Sequence, residues 1–215
     1  MRVCLFSLFL GIVSLASAQP YAAEIDAFKK EDSVSFPVSN QILFIGSSSF
    51  RLLRDTTTLF PGYKILNRAF GGSTLEDVIH WRYETIYPYQ PRQIVMYCGE
   101  NDFASSDTVT VELVAERFKT LYQLIRAKYP SVPLVYVSLK PSPARLSLIG
   151  KFKEANRIIQ TYLQSKPKSF FVNVFDAMLH ADGSPDESFF KSDGLHLNPK
   201  GYALWKQKLL PVLIK

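Results

Sequence analysis

Five apolar runs punctuate this chain, at residues 42–45, 63–66, 93–97, 134–138 and 170–174. Each is continuous rather than alternating, the pattern of parallel strands buried on both faces. Between them the period lengthens. From 109 to 128, apolar residues recur every three or four positions (Val111, Val114, Phe118, Leu121, Leu124, Ile125) and the pattern stops before Pro130, which predicts an amphipathic helix. Leu148, Phe152, Ala155, Ile158, Ile159 and Tyr162 predict another over roughly 147–164. Asn198-Pro199 predicts the start of a third, with asparagine as the cap and proline in the first turn. Strand and helix alternate throughout. The expected fold is therefore α/β, a three-layer α/β/α sandwich around a five-stranded parallel sheet with right-handed crossovers.

The first residues fall outside that pattern. A short positive start, Met1-Arg2, precedes an almost wholly apolar stretch over 3–15, and Ala16-Ser17-Ala18 supplies small residues for cleavage. This reads as a signal peptide over 1–18 and a single domain over 19–215, secreted or periplasmic. The apolar stretch is too short to span a bilayer, so no stable membrane anchor is expected once it is removed.

Composition narrows the reading further. With Cys4 inside the leader, Cys98 is the one cysteine of the expected mature chain, so an intramolecular disulfide is ruled out and stability must come from packing. Hydrophobic residues make up 47% of the chain, enough to supply a core. The net charge of +6 is spread over scattered Lys and Arg, without basic runs or interleaved aromatics. That distribution argues against nucleic-acid binding.

Chemistry-bearing residues gather where strands end. The run over 42–45 stops at Gly46 and continues as Ser47-Ser48-Ser49, which places a hydroxyl on a tight strand-to-helix turn. A serine hydroxyl becomes nucleophilic when a histidine takes its proton and a carboxylate orients the imidazole. Asp193 and His196 lie three residues apart in one short loop and can form that pair locally. Oxyanion donors are available in the backbone N–H of Ser48, a glycine of Gly71-Gly72, and the Asn101 amide. Cys98 reads as a small core residue, and His80 and His180 as surface or structural histidines. Trp81, Tyr83, Tyr87 and Tyr89 suit either a substrate cleft or a covered sheet edge.

Four blocks in order give the chain its resemblance to the SGNH (GDSL-type) serine hydrolases: Gly46-Ser47-Ser48, Asn67-Arg68-Ala69-Phe70-Gly71-Gly72-Ser73, Gly99-Glu100-Asn101-Asp102 and Asp193-Gly194-Leu195-His196. The resemblance covers nearly all of the expected mature chain. It implies a flavodoxin-like sheet, Ser48 as nucleophile, His196 as base and Asp193 as its partner. It also implies an oxyanion hole of Ser48, Gly72 and Asn101, and neither metal nor cofactor. One departure stands in the first block, where Ser47 occupies the position of the family's aspartate; Ser47 and Ser49 therefore compete with Ser48 as nucleophile. Lys140-Pro141-Ser142-Pro143-Ala144-Arg145 resembles a loop of a secreted bacterial branch, with Arg145 either meeting an acidic substrate group or standing as a surface residue.

The expected activity is hydrolysis of a carboxylic ester, small or polymer-linked, with an acyl lipid and an acetylated sugar both compatible. A different class, a non-catalytic carbohydrate- or lipid-binding module on the same fold, is disfavoured because every catalytic position is filled.

Overall fold

The computed structural model describes residues 20–215, so the leader expected over 1–18 lies outside the described residues. Its strands are β1 (Ile42–Gly46), β2 (Ile65–Asn67), β3 (Gln93–Tyr97), β4 (Leu134–Val137) and β5 (Ser169–Val172). They form one parallel sheet in the order β2-β1-β3-β4-β5, with Ile42 level with both Ile65 and Gln93, and Leu134 level with Ile94 and Ser169. The helices are α1 (Ala22–Val34), α2 (Ser48–Arg51), α3 (Thr56–Leu59), α4 (Leu75–His80), α5 (Arg82–Thr85), α6 (Glu100–Ser105), α7 (Val111–Lys128), α8 (Ile149–Gln164) and α9 (Pro199–Leu209). The expected sheet and three layers are present.

Side-chain alternation splits the core in two, because successive strand residues point to opposite faces. Leu43, Ile45, Ile94, Met96, Leu134 and Tyr136 pack on one side with residues of α1, α4, α7 and α8. Ile42, Phe44, Val95, Tyr97, Val135 and Val137 pack on the other with Phe50 of α2 and Trp205 and Leu209 of α9. On that second face the Phe50 and Trp205 rings meet edge to face, 5.8 Å between centroids. The Tyr202 hydroxyl also donates to Ser49 O at 2.8 Å. The segment following the histidine block is thereby fastened to the short helix that begins at Ser48.

Burial on both faces holds for the inner strands β1, β3 and β4 but not for the edges. β2 is half-buried along its length, and Phe170 of β5 is 44% exposed. Edge strands have one neighbour and incomplete helical cover. β2 also starts later than its apolar run, because the Tyr63 N–H turns back to Phe60 O. β5 ends early for a polar reason: the buried Ser138 hydroxyl accepts the N–H groups of Val174 and Phe175 and replaces the ladder there. At the helix starts, Thr110 and Asn198 accept the Leu113 and Gly201 N–H groups as caps. Among the described residues no helix is long and apolar enough to cross a membrane.

Candidate active site

The exit of β1 fixes the serine cluster. Gly46 has φ +118°, and a Cβ built there would lie 2.0 Å from Tyr97 O, so only glycine lets β1 leave the sheet so close to β3. Ser47 then precedes α2 in an extended conformation, without a side-chain cap, and Ser48 is the helix's first residue. The three hydroxyls have different surroundings. Ser47 is 4% exposed and accepts from Asn101 Nδ2 at 2.7 Å, while Ser49 is buried and its hydroxyl has no hydrogen-bond partner among the described residues. Ser48 is half-buried, and its Oγ lies 3.2 Å from His196 Nε2.

The other ring nitrogen of His196 meets Asp193 Oδ2 at 2.7 Å. Asp193 Oδ1 accepts the N–H groups of Leu195 and His196, each at 2.9 Å. Burial pushes the Asp193 carboxyl up, but the two N–H donors and the His196 ring outweigh it and hold the group well below the usual carboxylate range. The loop is held from outside as well: Lys191 N–H donates to His196 O, and Ala144 N–H donates to Gly194 O at 3.0 Å. A serine, an imidazole and an ionised carboxylate thus form one continuous hydrogen-bonded line.

Donors border the serine. The N–H of Ser48, at the start of α2, and the N–H of Gly72 meet no acceptor among the described residues. The Gly71-Gly72 turn is tied to the serine turn by Ser73 Oγ, which donates to Gly46 O at 3.1 Å. Asn101 reaches in from α6, its Nδ2 donating to Ser47 Oγ and, at 3.0 Å, to Ser73 O. Asp102 beside it points away: its carboxylate accepts the Leu75 N–H at 2.9 Å and pairs with Arg117 at 3.0 Å, anchoring the start of α4.

The sequence left several neighbours unassigned. Arg145 is directed inward, one guanidinium nitrogen donating to Asn101 Oδ1 at 2.6 Å and another to Glu100 Oε2 at 3.3 Å. Glu100 in turn holds Lys140 Nζ at 2.8 Å and accepts from the Tyr97 hydroxyl at 2.5 Å, with Lys140 2% and Glu100 5% exposed. Glu24 of α1 pairs with Arg51 beside the same cleft and accepts the Gly71 N–H. No short motif signals an acid so far from the four blocks; the Lys140–Arg145 loop was visible, its target was not.

A cleft of about 690 Å³ holds Ser48, Gly72, Asn101 and His196. A larger one, about 790 Å³, opens between α4 and α7 and contains none of them; Trp81 lines that second cleft. Tyr89 is buried against Arg68 and Asp32. Tyr87 donates to Leu124 O. None of the four aromatics lines the serine cleft. Cys98 is buried, and its thiol is pushed up by desolvation. His80 stacks edge-on against Trp81, whereas His180 has carboxylate neighbours after all, Glu187 at 3.5 Å and Asp186 at 4.0 Å, all near the surface.

Fold and site together define an ester-hydrolysing α/β/α enzyme. The model of the GDSL-like Lipase/Acylhydrolase family matches residues 47–204, and the chain belongs to that family. A Streptococcus pneumonia protein described as a platelet activating factor superposes with a TM-score of 0.78 at 22% identity, over 89% of this chain and 92% of that one. A GDSL-like lipase from Bacteroides thetaiotaomicron gives 0.73 at 18%, over 88% and 96%. An acetyl xylan esterase from Geobacillus stearothermophilus gives 0.65 at 12%, over 81% and 95%. Among curated protein sequences, none matches this chain.

Proposed function

We propose that this protein is an exported serine esterase that removes short acyl groups from polar alcohols through an acyl-enzyme. The observation carrying the mechanism is the line from Ser48 Oγ to His196 Nε2 (3.2 Å) and from His196 Nδ1 to Asp193 Oδ2 (2.7 Å). His196 takes the Ser48 proton as Oγ attacks the ester carbonyl. The carbonyl oxygen gathers negative charge and is met by the N–H groups of Ser48 and Gly72 and by Asn101 Nδ2, which keeps one hydrogen on Ser73 O and turns the other from Ser47 Oγ to the oxyanion. The imidazolium, steadied by Asp193, then gives its proton to the departing alcohol. Water attacks the acyl-Ser48 with His196 again as base, and the carboxylic acid leaves.

Preference for a short acyl group follows from the cleft lining. Glu24, Arg51, Arg145 and Lys191 are charged, and only Leu52 and Leu195 offer sizeable apolar side chains. A long acyl chain needs a largely apolar pocket, so an acetylated sugar or cell-wall polymer suits this cleft better than a phospholipid. The acetyl xylan esterase among the structural relatives is compatible with that choice. Export rests on the leader pattern over 1–18, and N-terminal sequencing of protein recovered outside the cytoplasm should begin at Gln19.

The test compares p-nitrophenyl acetate with p-nitrophenyl palmitate. We expect acetate to be preferred, and Ser48→Ala to stay folded while losing at least about 10⁴-fold in kcat. Palmitate preference would remove the short-acyl assignment; an active Ser48→Ala enzyme would remove the mechanism.

A further inference from the structure

We propose that Arg145 is a positioning residue for ester hydrolysis, locking the side-chain amide of Asn101 in the one orientation that presents Nδ2 toward the reacting carbonyl oxygen. The proposal rests on the assignment of Asn101 to the oxyanion hole.

An asparagine amide has two faces that differ only in which end donates. Here the choice is forced from both ends. A guanidinium can only donate, so the atom 2.6 Å from Arg145 must be Oδ1. The Ser73 carbonyl can only accept, so the atom 3.0 Å from it must be Nδ2. Turning the amide over would set donor against donor at Arg145 and acceptor against acceptor at Ser73. Ser47 Oγ, 2.7 Å from Nδ2, is compatible with either orientation, because a hydroxyl can donate or accept. It therefore decides nothing, and Arg145 is the side chain that does.

Arg145 is itself well placed to hold that position. Its backbone leaves the helical region (φ −124°, ψ 33°), interrupting the 3₁₀ turn of Pro143–Leu148, and the side chain turns inward until 14% of it remains exposed. Its second contact, to Glu100 Oε2, ends on a carboxylate fixed in turn by Lys140 Nζ, the Lys140 N–H and the Tyr97 hydroxyl. The buried Tyr97–Glu100–Lys140 group is thus a rigid footing beneath the oxyanion donor. Such support matters because a donor aimed at the developing charge acts only while its orientation is kept.

The experiment measures kcat and KM on p-nitrophenyl acetate for the full mature enzyme and for Asn101→Ala, Arg145→Gln, Arg145→Lys and Asn101→Ala/Arg145→Gln, with folding checked by circular dichroism. Asn101→Ala should lose about 10²–10³-fold in kcat. Arg145→Gln should lose roughly 10- to 100-fold in kcat with KM within about twofold, and Arg145→Lys should recover part of it. The double variant should be no slower than Asn101→Ala, since an arginine acting through the amide has nothing left to act on. Should Arg145→Gln fail to fold, Arg145→Lys carries the comparison, alone and with Asn101→Ala. Three results overturn the proposal: losses that multiply in the double variant, a raised KM with unchanged kcat, or full activity without Arg145. Ser48→Ala separates the levels. If it is inactive and Asn101→Ala is impaired while Arg145→Gln is not, the positioning role falls alone; if Asn101→Ala is fully active, the oxyanion assignment falls first.

Discussion

Replacing Asp102 with asparagine should change how stability depends on pH, by an amount the structure sets. The Asp102 side chain is fully buried, and desolvation raises its carboxyl from 3.8 to about 6, with the Leu75 N–H and Arg117 offsetting part of the effect. Because the folded value is raised, native protein binds a proton between about pH 4 and pH 6 that the unfolded chain has released. The group's favourable contribution is complete at low pH and is lost as pH rises through about 6. A difference of roughly two units at 1.36 kcal/mol each gives about 3 kcal/mol in full, of which about 2 kcal/mol falls between pH 4.5 and pH 7.5. Urea unfolding of wild type and Asp102→Asn across that interval measures it, because the other titrating groups cancel. The stability difference, variant minus wild type, should climb by about 2 kcal/mol from the acid end to the neutral end, roughly 1 M in relative midpoint. A difference that stays level, or that narrows as pH rises, refutes the reasoning.

Other tests address the site and its footing. Asp193, held well below the usual carboxylate range, should stay ionised throughout a kcat/KM profile taken from neutral to mildly acidic pH and add no proton of its own to any acid loss; an acid limb with a slope of two would mean that the carboxylate titrates. Gly46→Ala should prevent stable folding or abolish activity, as its methyl would sit 2.0 Å from Tyr97 O, and an unaltered melting curve with full turnover would contradict the turn geometry. Lys140→Met should destabilise by about 1–3 kcal/mol by removing the ammonium from the buried Glu100 while Arg145 and the Tyr97 hydroxyl remain on it, and Lys140→Met/Glu100→Gln should lose less than the two singles summed, read by urea unfolding.

What could be foreseen from the residues follows the strength of local patterning. The inner strands were legible because burial on both faces leaves an unbroken apolar run, as in Ile94-Val95-Met96. α7 was legible from its regular apolar stripe and its stop before Pro130, and α9 from its Asn198-Pro199 start and its own stripe. α1 was not: Ile25 is its sole fully buried residue, and its many charges leave no stripe to read. Its Glu24 consequently reached the cleft unannounced. At the cleft, the four blocks contain the Ser48 hydroxyl, the His196 imidazole and the Asn101 amide that the structure brings together, but among three adjacent serines no spacing rule separates their surroundings. Lys140 ran against expectation altogether, since a lysine is buried only where a partner such as Glu100 compensates it, and that partner lies forty residues away. Arg145 drew notice through its loop, yet its contacts depend on how two strand exits meet in space.

The hydrogen bond from Ala144 N–H to Gly194 O has a mechanical consequence. Ala144 adjoins Arg145, which donates to Asn101 Oδ1, and Gly194 stands between Asp193 and His196. The proposed proton acceptor His196 and the proposed charge-stabilising donor Asn101 are therefore braced against a common strut, although 44 residues separate Asn101 from Arg145 and 148 separate Ser48 from His196. Strain applied to either loop, by a bulky alcohol group or by heat, would detune both halves of catalysis together, so turnover should vanish in a single step well before the sheet itself gives way.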